Sequence, residues 1–476
     1  MPLGPAYRPD PRFQALGAEF SDPVEPADFP KAIIRLRNDR IAARVGLETL
    51  SDAEWVEAFA RFEPLPDNQP DRLAMRYHGH QFRTYNPDLG DGRGFLFAQL
   101  REKGTDRLLD LGTKGSGRTP WSRDGDGRLT LKGAVREALA TEMLEALGVP
   151  TSKTLSLIET GEQLARHDEP SPTRSAVIVR LSHSHIRFGT FQRLAYFDRA
   201  DLIAQLIEHV VEAYYPELAG LDTPAKAAAL LAEVAKRAAR LAGRWTAAGF
   251  VHGVLNTDNL NITGESFDYG PYRFAPRYDP DFTAAYFDHS GLYRFGRQAE
   301  AVFWNLNQLA GCLTLVGETD PLVEALNSFG EAWMSELRGA ILNRLGVKPL
   351  DPEADAALAT AALKLLGEAE GLRWEPLFFD WFCGVASEAR AMGGVRREVY
   401  AGETFEAFRR LLAEHEPDRP ERLKAGYFAK PEPQELLYDE IEAIWERIAE
   451  ADDWSGFEAK IAAIGVAREG YGIAVP

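Results

Sequence analysis

After about Tyr196 the hydrophobic pattern of this chain changes period, and no other feature limits its fold as much. Upstream, apolar runs are short and glycines dense. The segments GFLFAQLREKG and DRLLDLGTK alternate as two strands joined by a turn near Gly104, and TLSLIET and SAVIVRL read as two more around the turn-prone HDEPSPT. Among them RLTLKGAVREALATEMLEALGV carries apolar residues at three-to-four spacing and closes near Gly148, which predicts one helix. Downstream, PAKAAALLAEVAKRAARLAGRW, EAVFWNLNQLAGCLTLV, DAALATAALKLLGEAEG and ELLYDEIEAIWERIAEA predict long amphipathic helices. Strands around one helix, followed by helices alone, predict an α+β chain of two lobes. The expected division is a Pro-rich lead-in packed on the lobes (1–76), a Gly-rich lobe (77–195), a helical lobe (196–410) and a last piece (411–476). That last piece begins with EHEPDRPERLKAGYFAKPEPQ, which reads as a surface linker.

Charge narrows the function. With 54 basic and 72 acidic residues the chain carries a formal −18, so it has no general positive field for nucleic acid, and any anion site must be a local basic pocket. Cys312 and Cys383 are the only cysteines, too few for a disulfide framework or a thiolate metal site, and both read as buried and reduced. The start, MPLGPAYRPDPRF, has no basic-then-apolar pattern, and no stretch of about 18 uncharged apolar residues occurs, so the expectation is a cytoplasmic chain without a membrane partner.

Four places concentrate chemistry. NPDLGDGRG brings Gly90, Gly92 and Arg93 beside the first strand, where glycines let backbone N–H groups approach an anion; taken alone they equally fit a tight turn. LGTKGSGRTPWSRDGDGR puts Lys114 at a strand end, and Glu137 follows inside the predicted helix. Kinases hold nucleotide phosphates with such a pair, although two residues alone read more simply as a surface ion pair. IVRLSHSHIRFG supplies Arg180 and Arg187, whose rigid forks suit phosphate oxygens, around His183 and His185; those histidines, like the HGH at 78–80, read as structural. The fourth, GFVHGVLNTDNLNITGESFDYG, is the most specific and opens an irregular loop region, 252–297. His252 and Asn259 keep the interval of a kinase catalytic loop, and Asp268 in FDYG stands where the metal-binding Asp is sought. The place of the kinase base, however, is Val254. A valine accepts no proton, which leaves Asp258 as base or electrostatic orienter.

These strings, with YHGHQF, VREALATEML, FDYGPYRF and WNLNQLA, resemble the selenoprotein O (SelO) family of kinase-fold pseudokinases, which act as protein AMPylators. The likeness runs from about Tyr77 to Ala310. It implies a protein-kinase-like two-lobed fold that transfers AMP from ATP to Ser, Thr or Tyr hydroxyls of proteins and releases pyrophosphate. It also implies an inverted nucleotide, with Lys114, Glu137, Arg180 and Arg187 at the phosphates. Gly90, Gly92, Arg93, Asp126, Gly127 and Asp268 would line the ATP site, Asn259 and Asp268 would bind Mg²⁺ (or Mn²⁺), and Asp258 would be the proton acceptor. Rival readings of the same cleft are a protein kinase and a catalytically silent ATP-binding module. The chain departs from the family in three ways: it has no cysteine after Cys383, Arg83 stands where the family usually has glycine, and the family's C-terminal motifs are not recognised after about residue 410. Oligomeric state, protein substrates and regulation stay open.

Overall fold

The computed structural model describes residues 1–167 and 169–474. Its main sheet has eight strands: β1 (Ser21–Val24), β2 (Ile33–Arg37), β3 (Arg72–Met75), β6 (Leu96–Arg101), β7 (Leu108–Lys114), β8 (Leu129–Thr130), β9 (Lys153–Leu164) and β10 (Thr173–Ser182). A separate hairpin is formed by β4 (Gly79–Gln81) and β5 (Thr84–Asn86). The main order is β1-β3-β6-β7-β10-β9-β2, with β8 also paired to β10, and every pairing is antiparallel.

Both faces of this sheet are covered, and strand alternation decides which residue meets which cover. Leu109, Leu111, Val177 and Val179 face a cluster with Trp55, Phe59 and Phe62 from the lead-in. Leu108, Ala176 and Ile178 face the core built on helix α3 (Leu131–Ala146). Covered on both sides, β7 is buried along its whole length and β10 at every position but Arg174, polar residues included. The lead-in does more than pack on the lobes, because β1 and β2 form the two edges of the sheet. Its short helices, α1 (Asp39–Ala42) and α2 (Asp52–Phe59), are started by Asn38 and by a Ser51–Glu54 capping box. The sequence hid this because the strands are four and five residues long and rich in Pro and Arg.

Past β10 the chain is mainly helical: α4 (Phe188–Tyr196), α5 (Ala200–Tyr214), α6 (Thr223–Ala247) and α7 (Gln298–Leu313), followed by helices that include Phe329–Leu345, Pro352–Glu368, Tyr438–Ala451 and Ser455–Tyr471. Asp222 caps α6 by accepting from the Ala225 N–H, with Pro224 in the first turn. Sheet lobe and helical lobe make the two-lobed α+β architecture of the protein-kinase fold. Among the described residues no helix is long and apolar enough to cross a membrane. Cys312 and Cys383 are buried, unbridged thiols.

The predicted surface linker is anchored. Two short 3-10 turns, Pro420–Lys424 and Gly426–Ala429, bury Tyr427 and Phe428, and Phe428 stacks on Phe382 at 4.7 Å. Its charged and proline residues disguised this aromatic pair.

Candidate active site

The register of β7 against β10 sets Lys114 opposite Ile178 and Arg180 opposite Gly112. Partners across a ladder share a face, so Lys114 and Arg180 both project toward α3, which carries the fully buried Glu137. Lys114 Nζ donates to Glu137 Oε2 at 2.6 Å and Arg180 Nη1 lies 3.6 Å from Glu137 Oε1. This corrects the surface-pair reading of Lys114 and Glu137: sheet and helix together take the pair out of solvent. Burial pulls the Lys114 ammonium pKa down, while Glu137 and Asp268 oppose that pull.

The catalytic-type loop closes the arrangement from the other lobe. His252 is fully buried; its Nε2 is 2.9 Å from the Phe267 carbonyl, and its backbone N–H donates to Gln298 Oε1. This ties the loop to the FDYG segment. Asp268, at φ 59, then receives Arg180 Nη1 at 2.5 Å and Arg187 Nη1 at 2.6 Å, with Lys114 Nζ at 3.6 Å. Burial disfavours its ionisation, yet the three cations hold its carboxyl well below the usual range. Arg187 also donates to the Asp258 carbonyl at 2.9 Å and to Asp91 Oδ1 at 3.2 Å, and its guanidinium lies between Tyr77 and Phe267.

Asp258 and Asn259 sit in a short 3-10 turn at the cleft floor. The hairpin β4–β5 is pinned over them, because Thr257 Oγ1 accepts the His80 N–H at 2.7 Å and Asn256 Oδ1 accepts the Phe82 N–H at 3.0 Å. A Cβ on Gly79 would stand 3.1 Å from Asp258 Oδ1, and that oxygen is buried with no hydrogen-bond partner among the described residues. Burial accordingly pushes the Asp258 pKa up to about 6, against the pull of Arg187. Phe82 and Arg83 form the hairpin tip with φ 49 and 63, a left-handed pair that glycine adopts without strain. Arg83 in place of glycine instead reaches Glu300 at 3.2 Å and the Trp304 ring.

The cleft between these groups measures about 790 Å³ and holds all the anticipated positions on the Gly-rich side, Val254, and the pair Asp258–Asn259. Glu137 stands behind its wall, in contact with Lys114. Arg93, Arg123, Arg128 and Arg166 rim it, a local basic pocket on an acidic chain. Asp126 is engaged there by Arg166 at 2.8 Å and by the Arg128 N–H at 2.9 Å. Gly90 and Gly92 line this cleft and also have a packing role. A Cβ on Gly90 would collide with the Trp121 ring, and one on Gly92 would stand 2.9 Å from the Trp121 carbonyl, so both glycines seat the Trp121 loop. Gly127, at φ +70, abuts the Gly117–Arg118 backbone. Gly90→Ala is therefore expected to destabilise the fold by about 1–3 kcal/mol through overpacking, read as a shifted urea midpoint.

The sequence reading passed over Asp91, Tyr77, Phe267, Asn256 and Thr257 as individual functional residues. Each lies inside a string already singled out, but its partner comes from another segment. Histidines of the HGH and HSH strings have protein partners: His78 Nδ1 meets Tyr85 Oη at 2.8 Å, His80 Nδ1 meets Gln192 Nε2 at 2.7 Å, and the His185 backbone N–H donates to Asp110 Oδ2 at 2.8 Å.

The sequence model of the family described as Protein adenylyltransferase SelO matches residues 6–464. A protein nucleotidyltransferase YdiU of Synechococcus elongatus is 45% identical over 473 residues, covering 94% of this chain and 93% of that protein. The protein of the same name from Gloeobacter violaceus is 44% identical over 478 residues, covering 98% and 96%, and that from Vibrio cholerae is 39% identical over 320 residues, covering 67% and 64%. The family match runs well past both ends of the Tyr77–Ala310 likeness and through most of the region after residue 410. The chain belongs to the SelO family of protein adenylyltransferases.

Proposed function

We propose that this cleft transfers AMP from ATP to a protein Ser, Thr or Tyr hydroxyl, with Asp258 as proton acceptor and the phosphates held by Lys114, Arg180 and Arg187. The observation that carries the reading is Asp258: a carboxylate raised to about 6 and lacking a partner on Oδ1, beside a cationic cluster, in a loop whose kinase base position is Val254. The acceptor oxygen attacks the α-phosphorus, its proton passes to the Asp258 carboxylate, and the α–β bridging bond breaks to release pyrophosphate. The guanidiniums of Arg180 and Arg187 stabilise the charge that develops on the departing diphosphate. Arg93, Asp126 and Gly127 line the rim of the nucleotide site.

The donor set suits a hard dication. Asp268 offers anionic oxygen and Asn259 a carbonyl oxygen, and among the described residues no group of three His, Cys, Asp or Glu forms a complete protein cage, so phosphate oxygens would complete the shell. Bound there, Mg²⁺ (or Mn²⁺) would supply charge neutralisation along the phosphates.

ATP labelled on the α-phosphate should label protein in a Mg²⁺-dependent way while γ-labelled ATP does not. Label arriving from the γ-position alone would restore the kinase reading, and none from either would favour the silent module. The pH profile gives a second check. Because the base works only when ionised and its carboxyl sits near 6 in the nucleotide-free protein, kcat/KM should fall with decreasing pH through about 6 and level off above it. Lys114→Ala and Glu137→Ala should be strongly non-additive, since Glu137 acts by holding the ammonium at 2.6 Å. A double-mutant loss equal to the sum of the singles would uncouple them.

A further inference from the structure

A second cavity, of about 480 Å³, shares no lining residue with the nucleotide cleft. It lies among the strand ends Leu109 and Leu181–His183, the turn Thr263–Glu265, helix α6 and the C-terminal Arg468 and Ile473. We propose that this cavity is an anion site for a phosphate-type oxyanion, separate from the cleft that holds the reacting nucleotide.

Its walls carry cations that the protein does not neutralise fully. Arg237 lies over the Tyr215 ring at 4.1 Å and has no carboxylate partner among the described residues. Stacking leaves the N–H edge of a guanidinium free, which is the edge that binds phosphate oxygens. Lys236 and Arg240 extend the same face of α6, at 3.5 Å from Glu233 and 3.3 Å from Glu336. Opposite them Lys153 is buried, donating to the Thr151 carbonyl at 2.7 Å with its nearest carboxylate, Glu145, at 3.6 Å.

The acids on the wall are already engaged. Glu145 is shared by Arg40, Lys153 and Arg468, and Glu265 accepts the His183 backbone N–H at 2.5 Å. Arg44 and Arg107 both lean on Glu102. Polar groups without partners supply an independent sign. Ser182 and Thr263 line the cavity, and their hydroxyl oxygens are buried with no hydrogen-bond partner among the described residues. Buried hydroxyls are seldom left unsatisfied, and two of them among arginines and lysines match the donors an oxyanion requires. A volume of this size lies within the range of small-ligand pockets.

The test is isothermal titration of the full chain, without divalent metal, in separate arms with inorganic phosphate, pyrophosphate and AMP. Three proteins are compared: wild type, the cleft-rim variant Arg93→Glu, and the double variant Lys236→Glu/Arg237→Glu, whose positions lie on the outer face of α6. At least one arm should show a site that survives Arg93→Glu and weakens tenfold or more in the double variant. Ser182→Ala, which removes only a hydroxyl, should weaken the same site severalfold and guards against misfolding of the charge reversals. No site in any arm, or one that Arg93→Glu abolishes while Lys236→Glu/Arg237→Glu and Ser182→Ala leave it unchanged, would overturn the proposal. Neither result bears on AMP transfer, which α-phosphate labelling decides.

Discussion

Alanine at Asp268 is expected to cost both activity and stability, and the two losses have separate causes. The carboxylate is the only anionic oxygen proposed for the dication, so Mg²⁺-dependent transfer of α-phosphate label should fall by about 10³-fold or more. The same carboxylate receives Arg180 and Arg187 and stands near Lys114. Removing one partner of a buried ion cluster strands the others, at a cost of about 3–5 kcal/mol. The lower end applies, because Arg187 keeps Asp91 at 3.2 Å and Arg180 keeps Glu137 at 3.6 Å. Urea unfolding of the nucleotide-free protein measures the second loss. A variant that keeps a tenth of its activity would remove Asp268 from the metal site, and one with an unchanged urea midpoint would show the cluster is not held by it.

Alanine at Asp258 should separate activity from stability in the opposite sense. Loss of a general base typically lowers kcat about 10²–10⁴-fold, and ATP affinity should stay within about twofold, since the phosphates rest on other residues. Stability should not fall. Asp258 Oδ1 is buried without a partner, so the wild-type protein bears a desolvation cost that the variant relieves. A melting temperature equal to or above that of the wild type, together with a lost kcat, is the expected result. Unchanged kcat would dismiss Asp258 as the base, and a melting temperature several degrees lower would show that its carboxylate serves the fold.

The residues that meet in the cleft were legible as candidates because they sit in short ordered strings whose spacing reflects local geometry. The His252 to Asn259 interval follows from one loop, and Asp268 from the turn after it, so both are legible along the chain. Val254 was equally legible as a side chain that cannot take a proton. The division into a sheet lobe and a helical lobe was readable for the same reason, since hydrophobic periods of two and of three to four are local properties.

Pairings between distant segments were not legible. Taken alone, without the family resemblance, Lys114 and Glu137 read as a surface pair because nothing along the chain shows that β7 and α3 bury the same space. The packing role of Gly90 and Gly92 was hidden because Trp121, whose ring meets the first and whose carbonyl meets the second, arrives from a separate loop. The lead-in strands β1 and β2 were missed because a short edge strand with Pro or Arg earns its place only from the ladder beside it.

What the sequence determined by itself is therefore the inventory and its local order: two hydrophobic periods, a local basic chemistry on an acidic chain, a loop with metal-type Asn and Asp, and a missing kinase base. Tertiary structure alone decided the electrostatics. It set three cations on one carboxylate, buried Lys114 against Glu137, and left Asp258 Oδ1 unpartnered beneath a hairpin, which is why the same residue type is driven well below its usual pKa at 268 and up to about 6 at 258. Charge identity is written in the chain, but desolvation and the distance between charges exist only once the lobes have closed on one another.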